Sequence, residues 1–260
     1  MYKILKYCFY DLIRSRWSYV YFLFYLLLGF MLLFLNNDLS KAVITLLNII
    51  IVLVPLIGTI FGIMYFYNSK EFTELLLAQP IRRRSIFLGL YLGVAGSLSV
   101  SLVLGLGIPF VLYGLMKSGV IWDFGLLLLI GTALSFIFTA LSFNIAVTQD
   151  NKIKGFGYSV LLWLFMAVIY DGLFLLSLIF FEEYPLDRYS LGATLLNPID
   201  LSRILILLKL DIAALLGYTG AVFKGFFGTN AGFLIAMAVL SLWVVLPTGR
   251  MIFKAERKDF

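Results

Sequence analysis

The sequence contains no histidine and one cysteine, Cys8, among its 260 residues. Those two scarcities remove whole classes of chemistry. A disulfide cannot close within the chain, and the nitrogen and sulfur ligand sets that hold zinc or haem are missing. Oxygen-only or methionine-based metal contacts stay open by residue type. The methionines Met1, Met31, Met64, Met116, Met166, Met237 and Met251 form no close pairs and no M-x-x-M spacing. They read as core filler rather than as a thioether relay for a soft metal. No metal site is expected.

A phosphate-binding loop is missing too. It needs G-x-x-x-x-G-K-[ST], so that backbone amides and a lysine cradle the phosphates. No such string occurs, and "KGFFGTN" at Lys224–Asn230 is not one. No cofactor is expected in this chain, and any ATP and magnesium would be held by another polypeptide. Intramembrane hydrolases need histidine, or paired acids on spans. One carboxylate, Asp171, lies well inside an apolar run, so an enzyme is not expected.

Charge is scarce: 13% of residues are charged and 62% hydrophobic, with a mean hydropathy of +1.03. A soluble domain is about 25% charged and about 45–50% apolar. Bilayer is the common solvent for such an excess. A hydrocarbon core about 30 Å thick needs roughly 20 apolar residues as helix. Six runs qualify: 17–35, 43–67, 86–115, 124–147, 155–181 and 231–253. They are continuous rather than alternating, which selects helices over a barrel. The first run reads as a span, not as a cleaved secretory signal.

Lysine and arginine then predict sidedness. Fourteen fall on one side: Lys3, Lys6, Arg14, Arg16, Lys70, Arg82, Arg83, Arg84, Lys152, Lys154, Arg250, Lys254, Arg257 and Lys258. Six fall on the other: Lys41, Lys117, Arg188, Arg203, Lys209 and Lys224. The positive-inside rule places both termini and the 67–85 loop in the cytoplasm. The net charge of +6 is thereby mostly a topology signal, and nucleic acid is not an expected partner. The apolar stretch near 201–216 tempts a seventh span. Arg203, Lys209 and Asp211 argue against it, because each central charge costs about 2.5–3.5 kcal/mol on the insertion scale. It is expected as an external helix lying in the interface or dipping partway in.

Between the second and third runs sits a short amphipathic helix. Asn68 with Glu71 resembles a capping box. Phe72, Leu75 and Leu76 share a helical stripe, followed by Gln79, with Glu71 and Glu74 on the other side. Pro80 stops the helix, and Arg82, Arg83 and Arg84 lead into the third span. Two readings stand: a helix filling a loop on anionic lipid, or a stiff lever that takes a push from a partner.

The segment "KEFTELLLAQPIRRRSIFLGLYLG", Lys70–Gly93, resembles the link between spans two and three in permeases of ABC-2-type transporters. The "P-x-x-R" turn corresponds to Pro80–Arg83 and the "I-x-L-G-K" string to Ile86–Gly89, with Leu90 where the family often has lysine. "VPLIGTIFG" (54–62), "YDGLFLL" (170–176) and "LNPIDLSRILILLKLD" (196–211) are similar, within that family, to the NosY-type permeases linked with nitrous-oxide-reductase maturation. The resemblance implies an all-α polytopic protein of the bacterial inner membrane, a single transmembrane domain over 1–260. A cytoplasmic N-terminal helix (2–16), a coupling helix (68–80) and an external amphipathic element (182–230) complete it. It also implies two copies, cytoplasmic ATPase subunits gripping the coupling helix, a β-helical periplasmic partner, and copper or sulfur species as what is moved. Glu71, Phe72, Glu74, Leu75, Leu76, Gln79, Pro80, Arg82, Arg83 and Arg84 are the expected docking residues.

Asp171 has two readings, a transport-route acid or a structural hydrogen-bond partner. Asn197 and Asp200 could cap the external helix or, with Arg203, meet an external partner. Gly58–Gly62 and Gly89–Gly93 permit close helix approach, within the chain or across a dimer. Gly228–Gly232 reads as loop. Pro109 is expected to kink the third span. Trp17, Trp122, Trp163 and Trp243 read as interface anchors or lipid-facing bulk. A secondary transporter or channel would show two repeated halves, which the external insertion of roughly fifty residues at 182–230 breaks. A non-transporting anchor for an external partner remains the other alternative.

Overall fold

The computed structural model of the chain describes residues 6, 10, 16–36, 38–181, 186–210 and 218–257. Most of the N-terminal helix expected at 2–16, and residues 182–185 and 211–217 of the external element, lie outside that set. The described secondary structure is helical throughout. α1 (Arg16–Leu35), α2 (Leu39–Asn68), α3 (Lys70–Leu77), α4 (Arg83–Leu112) and α5 (Ile121–Thr148) come first. Span five is α6 (Lys152–Leu164), a π turn (Phe165–Ile169) and α7 (Tyr170–Phe180). α8 (Asp187–Leu196), α9 (Pro198–Lys209), α10 (Tyr218–Phe227) and α11 (Asn230–Arg257) follow. Among the described residues six helical segments are long and apolar enough to cross a membrane. They coincide with the six apolar runs, and the protein is an all-α, multi-pass membrane protein.

Why these helices meet as they do is a matter of small residues. Gly58 and Gly62 put α2 against α5. A Cβ on Gly58 would sit 3.5 Å from the Phe138 Cβ, and one on Gly62 would overlap the Ser142 hydroxyl. The "GTIFG" pattern therefore serves packing within the chain. The same logic joins α1 to α4. A Cβ on Gly105 would lie 2.7 Å from the Tyr25 Cβ and 3.0 Å from the Phe22 carbonyl, while Gly29 accommodates Pro109. "GLGIP" is thus a close-approach surface in a helix that continues past Pro109 to Leu112. Gly89 and Gly93 are buried within α4.

An aromatic cluster fills the junction of spans two, three and four. Phe66 stacks on Phe87 and meets the edge of Phe143, with ring centroids 6.2 and 5.4 Å apart. Such pairs add about 0.5–1.5 kcal/mol beyond burial. In their apolar windows spans two, three and four are 50%, 61% and 56% buried, whereas span five is 6% buried. Spans two to four are the core, and span five offers most of its surface outward. It is held at Trp163, whose indole N–H donates to the Val52 carbonyl at 3.2 Å. Trp243 likewise donates to the Leu195 carbonyl at 3.2 Å. Both indoles join helices, which corrects the reading of them as anchors or lipid-facing bulk. Trp122 is exposed, as that reading requires.

Three of the expected basic loops converge on one end of the bundle. The Tyr67 hydroxyl donates to the Gln149 carbonyl at 2.7 Å, and Lys152 Nζ to Asn68 Oδ1 at 2.9 Å. Lys254 Nζ donates to Thr148 Oγ1 at 2.9 Å. The grouping of the 67–85 loop, the 149–152 turn and the end of α11 on one side holds in three dimensions.

Candidate functional site

Two constructions stand out, one at the basic end of the bundle and one near its middle. At the basic end, α2 and α3 are separated by one residue, Ser69. Its backbone N–H serves as the cap of α2, reaching Tyr65 and Tyr67 carbonyls, and its hydroxyl donates to the Tyr65 carbonyl at 2.8 Å. The buried Thr73 hydroxyl then donates back to the Ser69 carbonyl at 2.8 Å. The expected Asn68–Glu71 capping box does not form. Asn68 is the last residue of α2 and its amide oxygen is taken by Lys152.

α3 is 8 residues long and ends at Leu77, so Gln79 and Pro80 are exposed beyond it. Three consecutive leucines cannot share one stripe at 3.6 residues per turn. Phe72, Leu76 and Leu77 pack on the core, while Leu75 is 68% exposed. The outward face is therefore Glu71, Glu74 and Leu75, and the expected Phe72–Leu75–Leu76 stripe is corrected at Leu75. Thr73 takes the inward place because its hydroxyl finds a backbone acceptor there.

Of the three arginines, Arg82 and Arg84 are exposed. Arg84 Nε lies 2.9 Å from Glu256 Oε1, and Arg83 donates to the Glu256 carbonyl at 3.3 Å. These contacts tie the start of span three to the end of span six. The Arg84 and Glu256 side chains are 67% and 40% exposed, where such pairs contribute about 0–1 kcal/mol. Glu256→Gln is accordingly expected to shift the unfolding midpoint in detergent by less than the thermal equivalent of about 1 kcal/mol. The pair sets position more than stability.

Level with the middle of span five, α8 and α9 meet at an elbow bent by 115°. Asn197 makes it. Its side-chain oxygen accepts from Ile199 N–H at 3.0 Å, capping α9, and Pro198 supplies the preset first turn. The Asn197 amide donates to Asp200 Oδ2 at 2.9 Å and to the Met166 carbonyl at 2.8 Å. Met166 lies inside the π turn of span five, where the ordinary i→i−4 ladder is interrupted.

One turn further, Arg203 donates to Asp171 Oδ2 at 2.7 Å and lies 3.7 Å from Asp200 Oδ1. Tyr170 donates to the Ala193 carbonyl at 2.6 Å, and Tyr189 to Ser177 Oγ at 2.9 Å. Four hydrogen bonds thus join span five to the elbow, and Trp243 of α11 holds it from the other side.

The sequence reading kept Asp171 apart from Asn197, Asp200 and Arg203; the structure gathers all four. Of the two placements expected for α9, in the interface or dipping partway in, it favours the second. Nine of its 12 residues are buried, Asn197 and Asp200 are 1% and 7% exposed, and the helix packs among α2, α5 and α11. An amphipathic helix lying on the surface does not have such a profile. Arg203 did not forbid insertion because Asp171 and Asp200 neutralise it. A partner outside would not meet Asn197 or Asp200 directly. By length and composition, α8 and α9 count as a broken span or a re-entrant loop. The signal available in the sequence was one acid in a span facing one arginine in an apolar helix, each costly alone.

No family model matches the chain. Two curated proteins are similar to it, both named probable ABC transporter permease protein NosY. That of Stutzerimonas stutzeri is 28% identical over 179 residues, covering 66% of this chain and 57% of the relative. That of Pseudomonas aeruginosa is 27% identical over 173 residues, covering 62% of each. The chain thus spans about three fifths of the length of the curated relatives it matches. These similarities bear out the NosY-type resemblance read from the motifs.

Proposed function

We propose that the chain is the membrane-spanning permease subunit of an ATP-binding cassette transporter, driven by a separate cytoplasmic ATPase that docks on α3. The observation that carries this reading is the construction of α3. It projects Glu71, Glu74 and Leu75 outward and is joined to span two through Ser69, without slack. A push on that face turns span two, and the Arg83–Arg84 contacts pass the motion to the ends of spans three and six. Closure of the ATPase subunits would then rock the bundle between two packings. ATP and magnesium belong to the partner, and this chain supplies no catalytic group. Two copies form the membrane body, in a bacterial cytoplasmic membrane, with the basic end and both termini inside. A β-helical periplasmic protein receives the motion at the end of the bundle opposite α3. The process served is maturation of the copper site of nitrous-oxide reductase, with a copper or sulfur species as cargo.

Glu71→Arg combined with Leu75→Ala is expected to cut ATPase copurification at least tenfold while leaving membrane insertion unchanged. Phe72→Ala, on the packed side, is expected to lower the unfolding temperature while the ATPase remains bound. Undiminished copurification in the first variant would refute the docking reading. Labelling of a cysteine placed at 70 by an impermeant reagent outside intact cells would overturn the orientation.

A further inference from the structure

Between α5, α6 and α11, at the basic end, lies an open groove of about 440 Å³. That volume is within the roughly 300–1,000 Å³ range of small-ligand sites. Its mouth carries Arg250 and Lys254, one helical turn apart on α11 and hence on one face. Its walls below are apolar, with Leu141, Leu162 and Trp243, and the Tyr158 hydroxyl stands beside them. Among the described residues no carboxylate lines it. Lys254 gives one hydrogen bond to Thr148 Oγ1, which leaves ammonium donors to spare. The nearby Glu256 is engaged with Arg84. Two like charges held four residues apart without an acid between them repel one another, and an anion relieves that cost.

We propose that this groove binds one anionic glycerophospholipid of the surrounding bilayer. Arg250 and Lys254 hold its phosphate, and Leu141, Leu162 and Trp243 receive the start of its acyl chains. The placement favours lipid over a soluble anion. α11 runs for 28 residues and the two cations sit in its last two turns, past a length that already spans the hydrocarbon. The groove therefore opens where headgroups lie, and its apolar depth has no use for free phosphate. Basic pockets between spans at this level suit phospholipid headgroups in general. The inference does not depend on an ATPase docking at α3.

The test is native mass spectrometry of the full chain, released from nanodiscs made with equal phosphatidylglycerol and phosphatidylcholine of the same chain length. The wild-type chain is expected to retain one phosphatidylglycerol per copy, at least tenfold over phosphatidylcholine. Arg250→Gln with Lys254→Gln should reduce that preference below twofold. Leu162→Trp, which fills the apolar part, should do the same without touching a charge. Lys152→Gln with Lys154→Gln, on the outer surface, should change nothing. Equal retention of the two lipids by the wild type, undiminished preference in the Arg250/Lys254 variant, or displacement by millimolar inorganic phosphate would each overturn the proposal.

Discussion

Arg203→Ala is expected to destabilise the protein by about 2–3 kcal/mol, the range for a charge-assisted hydrogen bond lost with its partner left unsatisfied. The change removes the 2.7 Å bond to Asp171 and the counter-charge that stands 3.7 Å from Asp200. Two acids then face one another across the elbow. Full burial would raise the figure, but Arg203 and Asp171 are 27% and 34% exposed. Asp171→Ala should cost a similar amount, because it leaves a guanidinium in an apolar helix. The double variant Asp171→Ala/Arg203→Ala should recover part of the loss, with a coupling of at least about 1 kcal/mol. Denaturant titration of the four proteins in one detergent measures it. Additive losses would show that the pair does not hold the elbow to span five. The proposed transport activity, assayed in parallel, separates the two readings of Asp171. If the double variant regains stability and activity together, the acid is structural. If it is stable and silent, the charge itself is used.

The second large effect is steric. Gly105→Leu is expected to cost about 1–3 kcal/mol or more, the range for overpacking a filled interface. A flexible neighbour could turn aside, but one of the atoms in the way is the Phe22 backbone carbonyl, 3.0 Å from the added Cβ. Relief requires α1 to retreat as a body from α4. Gly107, two residues on, has nothing within 4 Å of an added Cβ, so Gly107→Leu is the control and should be near neutral. Similar unfolding midpoints for the two variants would contradict the described α1–α4 contact.

The spans were legible because lipid leaves a chain few choices. A continuous apolar run of that length has to be a helix, and lysine and arginine mark its ends. The close approach at Gly58 and Gly62 was legible as a possibility, and the structure spends it inside the chain. What escaped was whatever depends on distance in sequence. Asp171 and Arg203 are thirty-two positions apart, and each looked like an isolated liability until the fold placed one against the other. The same blindness left α9 undecided between the interface and partial insertion: its charges were counted without their partners. In α3 the failure was local. A hydrophobic run gives no hint of which leucine turns outward, and the Asn68 side chain had a competing donor in Lys152 that no local pattern contains.

Because the Trp163 and Trp243 indoles each donate to a carbonyl on another helix, the protein carries its own optical gauge of motion. An indole that loses such a bond shifts its emission wavelength, whereas the exposed Trp122 supplies a constant background. Rocking that parts the elbow from span six would register at Trp243 and leave Trp163 dark to the change. With Trp243→Phe as the blank, nucleotide added to the proposed assembly with an ATPase could be followed in real time without attaching any dye.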